Sequence, residues 1–431
     1  MKSQDFTSEE LGYMRRRSDR LRFGLQVGYP RSSIQWDAYL SLLEQKINTT
    51  RTLPNNFAKL NIGRKTGLTA EDIETALILR KVNDNIRKTY GIKQPSRSEI
   101  THEVAVLLRE NTTKHIIKLD IKSFFESIPI NELYAKLVAD RKVSTLTLKL
   151  LSDFISVCKF RQFHGVPRGL NLSATLAELH VRNLDQKLRE IDGVYHVNRY
   201  VDDIVVFCFK EKNAIEKEIK KNLVDLQLRI NYKKYNVYDV HARCDFKCSS
   251  KATCMKRSAC NFKASTKSYE MDLLGYEFVF KDINTDRAEN PVITKLARKK
   301  IQRIKKRIYR SFEDYQKSGN FKMLEWRVKY LSGNHRLRSS QNRGKLRAGP
   351  YYSYMQCKES EPEYRAQLSN LDEFLRIHIA HASKVTAPYA LSVIQALRLR
   401  NVTFLAAVDK KLTNKWPPSR IVSISECWKY G

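Results

Sequence analysis

At 431 residues, 42% of them hydrophobic and with only 15 Gly and 11 Pro, the chain has the composition of a globular protein with about two to four packed domains or subdomains. Seventy-nine Lys and Arg stand against 46 Asp and Glu, a net charge of +33. Such a surplus disfavours compactness through self-repulsion unless a polyanion offsets it, which points to nucleic acid or an anionic surface.

Residues 1 to about 60 read as a helical extension, with Trp36, Leu40, Leu43 and Ile47 at helical spacing and a basic patch from Tyr13 to Arg22. Asp5, Glu9 and Glu10 come early with no apolar run, so no secretory signal is expected. The stretch from about 61 to 115 reads as basic and mostly helical, with turn signals at Tyr90-Gly91 and Pro95-Ser96. Arg97 follows, ahead of a helical pattern through Ile100, Val104, Leu107 and Leu108. Its guanidinium suits a bidentate phosphate grip and a solvated surface charge equally well.

Ile116 to Ile121 reads as a strand ending at Asp120, followed by Lys122-Ser123-Phe124-Phe125-Glu126. Taken alone, that Asp reads as a helix cap and the two Phe as core. An amphipathic helical region, Leu133 to Val157, leads to the Gly/Pro-punctuated loop Gly165-Val166-Pro167-Arg168-Gly169, which opens an apolar helix through Ala174 to His180. The loop amides and Arg168 suit a phosphate at a helix N-terminus, or simply a loop before a core helix. Next, Tyr195–Arg199 and Ile204–Phe209 read as two strands joined by the turn Tyr200-Val201-Asp202-Asp203. Adjacent carboxylates in a turn are either a hairpin corner or a divalent-metal site, since two anions side by side repel unless a cation sits between them.

Eight cysteines without an export signal fit a reducing compartment, where thiols serve as ligands or buried apolar groups. Cys244, Cys248, Cys254 and Cys260 fall within seventeen residues, just after His241, in an insert at about 241–265. Tetrahedral zinc through the four thiolates is the preferred reading, with His241 able to replace one ligand because the spacings are wide. A lysine-rich loop with free thiols is the alternative. From 291 to 350 eighteen Lys or Arg face three acids, Glu313, Asp314 and Glu325. Ala297, Ile301, Ile304 and Ile308 mark a helix with one narrow apolar stripe and an otherwise basic surface that includes Lys299, Lys300, Arg303, Lys306 and Arg307. Trp326, Tyr330, Tyr351, Tyr352 and Tyr354 interleave with these charges, either to stack on bases or to pack a core. Helical spacing continues from about 364 to 415. The longest weakly polar run, Val385 to Leu397, is too short to cross a bilayer and contains Pro388. A cytoplasmic protein without a membrane partner is expected.

Strand-Asp, Gly/Pro loop with helix, and Tyr-Val-Asp-Asp hairpin follow one another within about ninety residues, an order that resembles the signature of a reverse-transcriptase palm. Leu226 to Lys234 resembles the Leu-Asn-x-x-Lys segment of that family, with Ile230 in the Leu position. Leu273-Leu274-Gly275-Tyr276 resembles its Leu-Gly-Tyr segment at the palm–thumb junction. Over about 90 to 280 the chain is thus similar to bacterial reverse transcriptases of the retron, group II intron and defence-associated kind. The resemblance implies an α+β right-hand polymerase fold with fingers, a palm of antiparallel sheet and packed helices, and a mostly helical thumb. It divides the chain into an extension at 1–60, fingers and palm at 61–285, and a basic thumb and C-terminal region at 286–431.

The same resemblance implies roles for individual residues. Asp120 and Asp202 match the two metal-binding carboxylates, with Asp203 in support and the backbone carbonyl of Ile121 as a further ligand for two Mg²⁺ ions. Lys234 matches the proposed general acid for pyrophosphate, with Lys233 as its substitute. Phe125 matches the bulky residue under the incoming sugar, which implies deoxynucleotides, and Arg97 gains weight as a triphosphate contact. Arg168 stands where many relatives carry Gln, a departure that points to altered handling of template or nucleotide. Lys299, Lys300, Arg303, Lys306 and Arg307 fall on the thumb helix expected to grip a primer–template duplex. Implied partners are an RNA template or noncoding RNA, the DNA product, deoxynucleoside triphosphates, and a partner protein or second copy. Antiphage defence with unusual or restricted templating is the implied setting. A group II intron-like maturase is expected to carry an added DNA-binding or nuclease domain, and nothing after 280 resembles the His-Asn-type nuclease pattern. Against a non-catalytic RNA-binding scaffold stands the intact trio of carboxylates.

Overall fold

The structure is a computed structural model. It describes residues 3–428 apart from 64, 111, 242–266, 283–290, 339–344 and 412. By contacts the chain forms two compact units, Met1–Pro95 with Lys114–Asp239, and Ser96–Thr113 with Val240–Gly431. The contact boundaries fall at 95, 113 and 239, where the sequence reading divides the chain at 60 and 285.

In the first unit, β1 (Phe57–Ile62) and β2 (Lys65–Ala70) pair as an antiparallel hairpin, Phe57 opposite Ala70 and Ile62 opposite Lys65. Helix was expected there. Gly63 at φ +61° supplies the left-handed turn, and Gly67 is a poor helix residue, so the local backbone preferences favour the hairpin. Gly67 also has a contact reason. A Cβ there would collide with the carbonyl of Arg168, whose oxygen accepts from the Leu68 amide at 2.8 Å. The hairpin is thereby fastened to the Gly165–Gly169 loop. The helical region expected at 133–157 is two helices, Ile130–Asp140 and Thr145–Phe160, parted where Arg141 takes φ +51°.

The centre of this unit is a four-stranded sheet of β3 (Lys114–Asp120), β4 (Val194–Tyr200), β5 (Asp203–Cys208) and β6 (Asn236–Val240), in the order β4–β5–β3–β6. Side chains alternate across the strands. Ile117, Leu119, Val197, Ile204 and Val206 fall on one face and join a buried cluster with Leu172 and Leu176 of helix Asn171–His180 and Leu184 and Leu188 of helix Leu184–Arg189. Lys118, Asp120, Tyr200 and Asp203 fall on the other.

In the second unit, helix Arg97–Arg109 accompanies an antiparallel sheet of β7 (Ser268–Leu273), β8 (Tyr276–Lys281) and β9 (Ile293–Leu296). The long basic helix, Arg298–Ser318, starts two residues after β9 and ends at Gly319 in the left-handed conformation. Helices Phe321–Ser332 and Glu361–Ala382 follow. A small sheet of β10 (Asn334–Arg338), β11 (Lys345–Ala348) and β12 (Thr413–Lys415) lies among these helices, and β12 falls at the end of the stretch from about 364 to 415 where helical spacing was read. Asp282, 5% exposed, accepts from the amides of His241 and Lys267 at 3.3 and 3.2 Å and from the Tyr269 hydroxyl at 3.0 Å. One carboxylate thus ties together the two residues that bracket 242–266. Cys244, Cys248, Cys254 and Cys260 lie outside the described residues. No helix among the described residues is long and apolar enough to cross a membrane.

Candidate active site

Register brings the first two carboxylates together. Asp120, the last residue of β3, sits opposite Asp203, the first of β5. Directly opposed residues of an antiparallel pair share a face, with Cα atoms about 4.5–5.5 Å apart. Asp203 is also the partner of Tyr200 at the end of β4, so Val201 and Asp202 form the connection and Asp202 stands beside the pair. Val201 takes φ +60°, a conformation that β-branched residues avoid at a cost of about 1–3 kcal/mol. Two hydrogen bonds hold the turn in it. The Ile121 amide donates to the Asp202 carbonyl at 2.9 Å, and Nη1 of Arg199 donates to the Val201 carbonyl at 3.3 Å.

Arg199 is itself gripped from the helical side of the sheet. Its guanidinium donates to both oxygens of Glu178 at 3.2 and 2.9 Å and to both of Asp185 at 2.6 and 3.1 Å. The Arg199 and Glu178 side chains are 4% and 6% exposed. Burial alone would lower the basicity of Arg199, but these bonds to Glu178 and Asp185 outweigh it and hold the guanidinium well above its ordinary pKa. Nothing in the sequence reading singled out this triad.

A short segment completes the carboxylate cluster from the other edge of β3. Ile121 bridges to Ile230, with the Asn231 amide donating to the Asp120 carbonyl and the Lys122 amide to the Arg229 carbonyl, both at 2.8 Å. Neither bond uses the carbonyl of Ile121. Beyond the bridge, Asn231 Nδ2 donates to Oδ1 of Asp120 at 2.8 Å and Lys234 Nζ to Oδ2 at 2.6 Å. Of the two candidate lysines, Lys234 is thus the one that reaches Asp120. Asn231 was visible only as a letter of the Leu-Asn-x-x-Lys segment.

Burial and crowding decide the protonation of the cluster. Burial, reinforced by the neighbouring Asp202 and Asp120, pushes Asp203 up to about 6. Asp202 is raised too, by burial first and then by Asp120. Burial lowers Lys234, but its hydrogen bond to Asp120 and the pull of all three carboxylates win and raise it. The cluster is short of positive charge. Its donor set, oxygen only and carboxylate-rich, suits a hard divalent cation. Among the described residues no three His, Cys, Asp or Glu side chains form a ready cage, and both oxygens of Asp120 are engaged by Asn231 and Lys234. Each of those oxygens keeps a second lone pair, so Asp120 can accept from Asn231 and Lys234 and still offer an oxygen to a cation.

Phe125 begins a 3₁₀ turn, Phe125–Ser127, just beyond β3. Phe124 beside it is 1% exposed and packs edge-on at 5.5 Å, leaving Phe125 half-buried. Arg168 lies over the Phe125 ring, Cζ 5.2 Å from its centroid. Nε and Nη2 of Arg168 form a fork onto Glu126, 3.0 Å to Oε1 and 3.2 Å to Oε2, and Lys65 from β2 reaches the same carboxylate at 3.4 Å. Burial would raise Glu126, but the bond from Arg168, helped by the charges of Arg168 and Lys65, holds it below the usual carboxylate range. The sequence reading missed Glu126 as the partner of Arg168. Gly165 permits this packing: a Cβ there would strike the Phe125 carbonyl and lie 2.6 Å from that of Glu126.

Arg97 belongs to the second unit, at the first position of helix Arg97–Arg109. On the basic helix of that unit, Lys299, Arg303 and Lys306 are exposed and line one face, while Lys300 and Arg307 are half-buried beside it. Arg307 lies over Trp428 at 5.1 Å and is lowered by burial and by Arg303. Of the aromatics expected to stack on bases or pack, Tyr330 stacks on His335 at 4.4 Å and Tyr354 is buried.

Residues 72–278 match the family model described as reverse transcriptase (RNA-dependent DNA polymerase), a segment that holds Asp120, Asp202, Asp203, Lys234 and Tyr276. Among solved structures, the chain is similar to one titled apo telomerase from Candida Tropicalis, truncated from its C-terminal domain, at 17% identity and a TM-score of 0.29. That alignment covers 48% of this chain and 44% of the telomerase chain. No curated protein matches. The α+β fold is of the right-hand polymerase type, and the matched segment is a domain of the RNA-directed DNA polymerase kind.

Proposed function

We propose that the reverse transcriptase domain at residues 72–278 joins deoxynucleotides to a 3′-hydroxyl, with Asp120, Asp202 and Asp203 as its catalytic carboxylates. The observation that carries this reading is the register of Asp120 against Asp203, with Asp202 in the adjoining turn. These three carboxylates and the Ile121 carbonyl would hold two Mg²⁺ ions, whose chemistry there would be to lower the pKa of the attacking hydroxyl and to neutralise charge on the departing pyrophosphate. Asn231 orients Asp120 through Oδ1. Lys234, an ammonium at neutral pH, carries the proton that the pyrophosphate takes up. Phe125, steadied by Phe124 behind it and Arg168 over it, leaves no room for a 2′-hydroxyl. The exposed row Lys299, Arg303 and Lys306 neutralises backbone phosphates of a duplex.

Primer extension on RNA and DNA templates tests the reading, with wild type beside Asp202→Asn and Asp203→Asn. Extension by wild type alone supports it. Extension that survives both substitutions sinks the carboxylate assignment, and none by any form leaves an RNA-binding scaffold or maturase. In finer detail, we place the enzyme among bacterial defence systems that act with a noncoding RNA or partner protein and copy restricted templates. Resemblance and Arg168 in place of Gln support this, and sequencing the nucleic acid that co-purifies tests it. Zinc held by Cys244, Cys248, Cys254 and Cys260 is proposed for the insert whose ends Asp282 draws together, and elemental analysis finding no zinc would remove it.

A further inference from the structure

Arg97 occupies an unusual position for a solvated charge. Its guanidinium carbon lies 5.1 Å from the centroid of Tyr276 and 5.4 Å from that of Tyr354, between two rings that meet edge-on at 5.6 Å. Gly275 lets it approach: a Cβ there would lie 3.3 Å from Nη2 of Arg97. Nε of Arg97 is buried with no hydrogen-bond partner. A second cation, Lys300, stands over the same Tyr354 ring at 5.6 Å. Neither Arg97 nor Lys300 has a carboxylate partner among the described residues. Other titratable neighbours supply no charge, since burial pushes both the Cys357 thiol and the Tyr276 phenol up to about 12. Tyr354 thus receives one cation from helix Arg97–Arg109 and one from the basic helix, Arg298–Ser318.

We infer that Arg97 and Lys300, set on Tyr276 and Tyr354, form a seat for a phosphate of the nucleic-acid backbone. A phosphate could come from a nucleotide's triphosphate or from a duplex strand, and the surroundings favour the strand. Lys300 lies in the first turn of the helix whose Lys299, Arg303, Lys306 and Arg310 continue in one row. That row runs for about 16 Å at the helical rise of about 1.5 Å per residue. Repeated phosphates match a line of cations. A compact triphosphate does not.

The inference rests on the polymerase reading, and the test separates the two. Binding of a labelled primer–template hairpin is measured against salt for wild type, Arg97→Gln, Arg97→Lys and Lys300→Gln. The KM for deoxynucleotide and the melting temperature are recorded for each. Loss of one phosphate contact lowers the slope of log K against log salt by about 0.9. That loss is expected for Arg97→Gln and for Lys300→Gln, with Arg97→Lys near wild type and KM within about twofold throughout. An unchanged slope with a KM raised about tenfold would assign Arg97 to the triphosphate and overturn the seat. An unchanged slope with only a lower melting temperature would reduce the pair to packing and overturn it equally. Should Arg97→Gln fail to fold, the half-exposed Lys300→Gln decides alone. A wild type that binds with the expected slopes but extends nothing would sink the polymerase reading and leave the seat standing.

Discussion

Arg199→Met is the substitution that most directly tests how the acidic turn is held. It strips the guanidinium from Glu178, which is 6% exposed, and from Asp185, which is 28% exposed. Breaking a buried ion pair by removing one partner costs about 3–5 kcal/mol, because the remaining charge stays desolvated. For a unit of this size each kcal/mol lowers the melting temperature by about 2–4 °C, so a fall of about 6–20 °C is expected. Thermal unfolding followed by circular dichroism reads it. Instability alone would not reveal positioning, so the double variant Arg199→Met/Glu178→Met is the discriminating one. With both partners replaced by apolar groups most of the stability returns. The bond from Arg199 to the Val201 carbonyl does not return, and that loss of about 1 kcal/mol leaves the strained Val201 less well fixed. Single-turnover extension should therefore remain slower by up to about fivefold at a temperature where both variants are folded. Either a single variant melting within about 2 °C of wild type, or a double variant extending at the wild-type rate, would refute this account of the turn.

Phe125→Ala should admit ribonucleotides, read as the ratio of kcat/KM for ribo- and deoxynucleotide; an unchanged ratio would remove Phe125 as the sugar filter. Asp203 titrates near 6 in the folded protein against an ordinary 3.8, so the fold binds its proton more tightly than the unfolded chain does, and stability falls as pH rises from about 4 to about 6. Since Mg²⁺ competes with that proton, the rise in melting temperature on adding Mg²⁺ should be larger at pH 8 than at pH 5, and flatter with pH in Asp203→Asn. Equal Mg²⁺ effects at both pH values would contradict it. Gly165→Ala forces a methyl against the carbonyls of Phe125 and Glu126, both backbone atoms that cannot swing aside, and should destabilise by about 1–3 kcal/mol in urea titration. A variant as stable as wild type would show that the loop is looser than its packing implies.

What the sequence disclosed was whatever repeats with the backbone's own period or stands in a fixed order along it. The strand that ends at Asp120 and the hairpin through Asp202 were legible because β-branched and aromatic runs with a turn between them have few other ways to fold. The β1–β2 hairpin was not, since only Phe57 of β1 is buried and its exposed Leu60 and Ile62 give no face to read. What stabilises that hairpin lies a hundred residues away, in the carbonyl of Arg168.

The same distinction runs through the candidate site, and it follows from how charge is stored in a fold. A carboxylate's identity is local, so Asp120, Asp202 and Asp203 were visible as letters. A carboxylate's partner is a tertiary fact. Asp120 takes Lys234 from 114 positions away, Arg168 takes Glu126 from 42, and Arg199 takes Glu178 from 21. With 79 basic residues on offer, composition says nothing about which cation meets which acid. From sequence Arg168 suited either a phosphate at a helix N-terminus or an ordinary loop, and in the structure its fork is filled by Glu126 and its guanidinium lies over Phe125. Any effect of Arg168 on the incoming nucleotide therefore passes through the ring it covers, or requires Glu126 to let go. The triphosphate and the carboxylate are rivals for one guanidinium, and the fold as it stands has given Arg168 to the carboxylate.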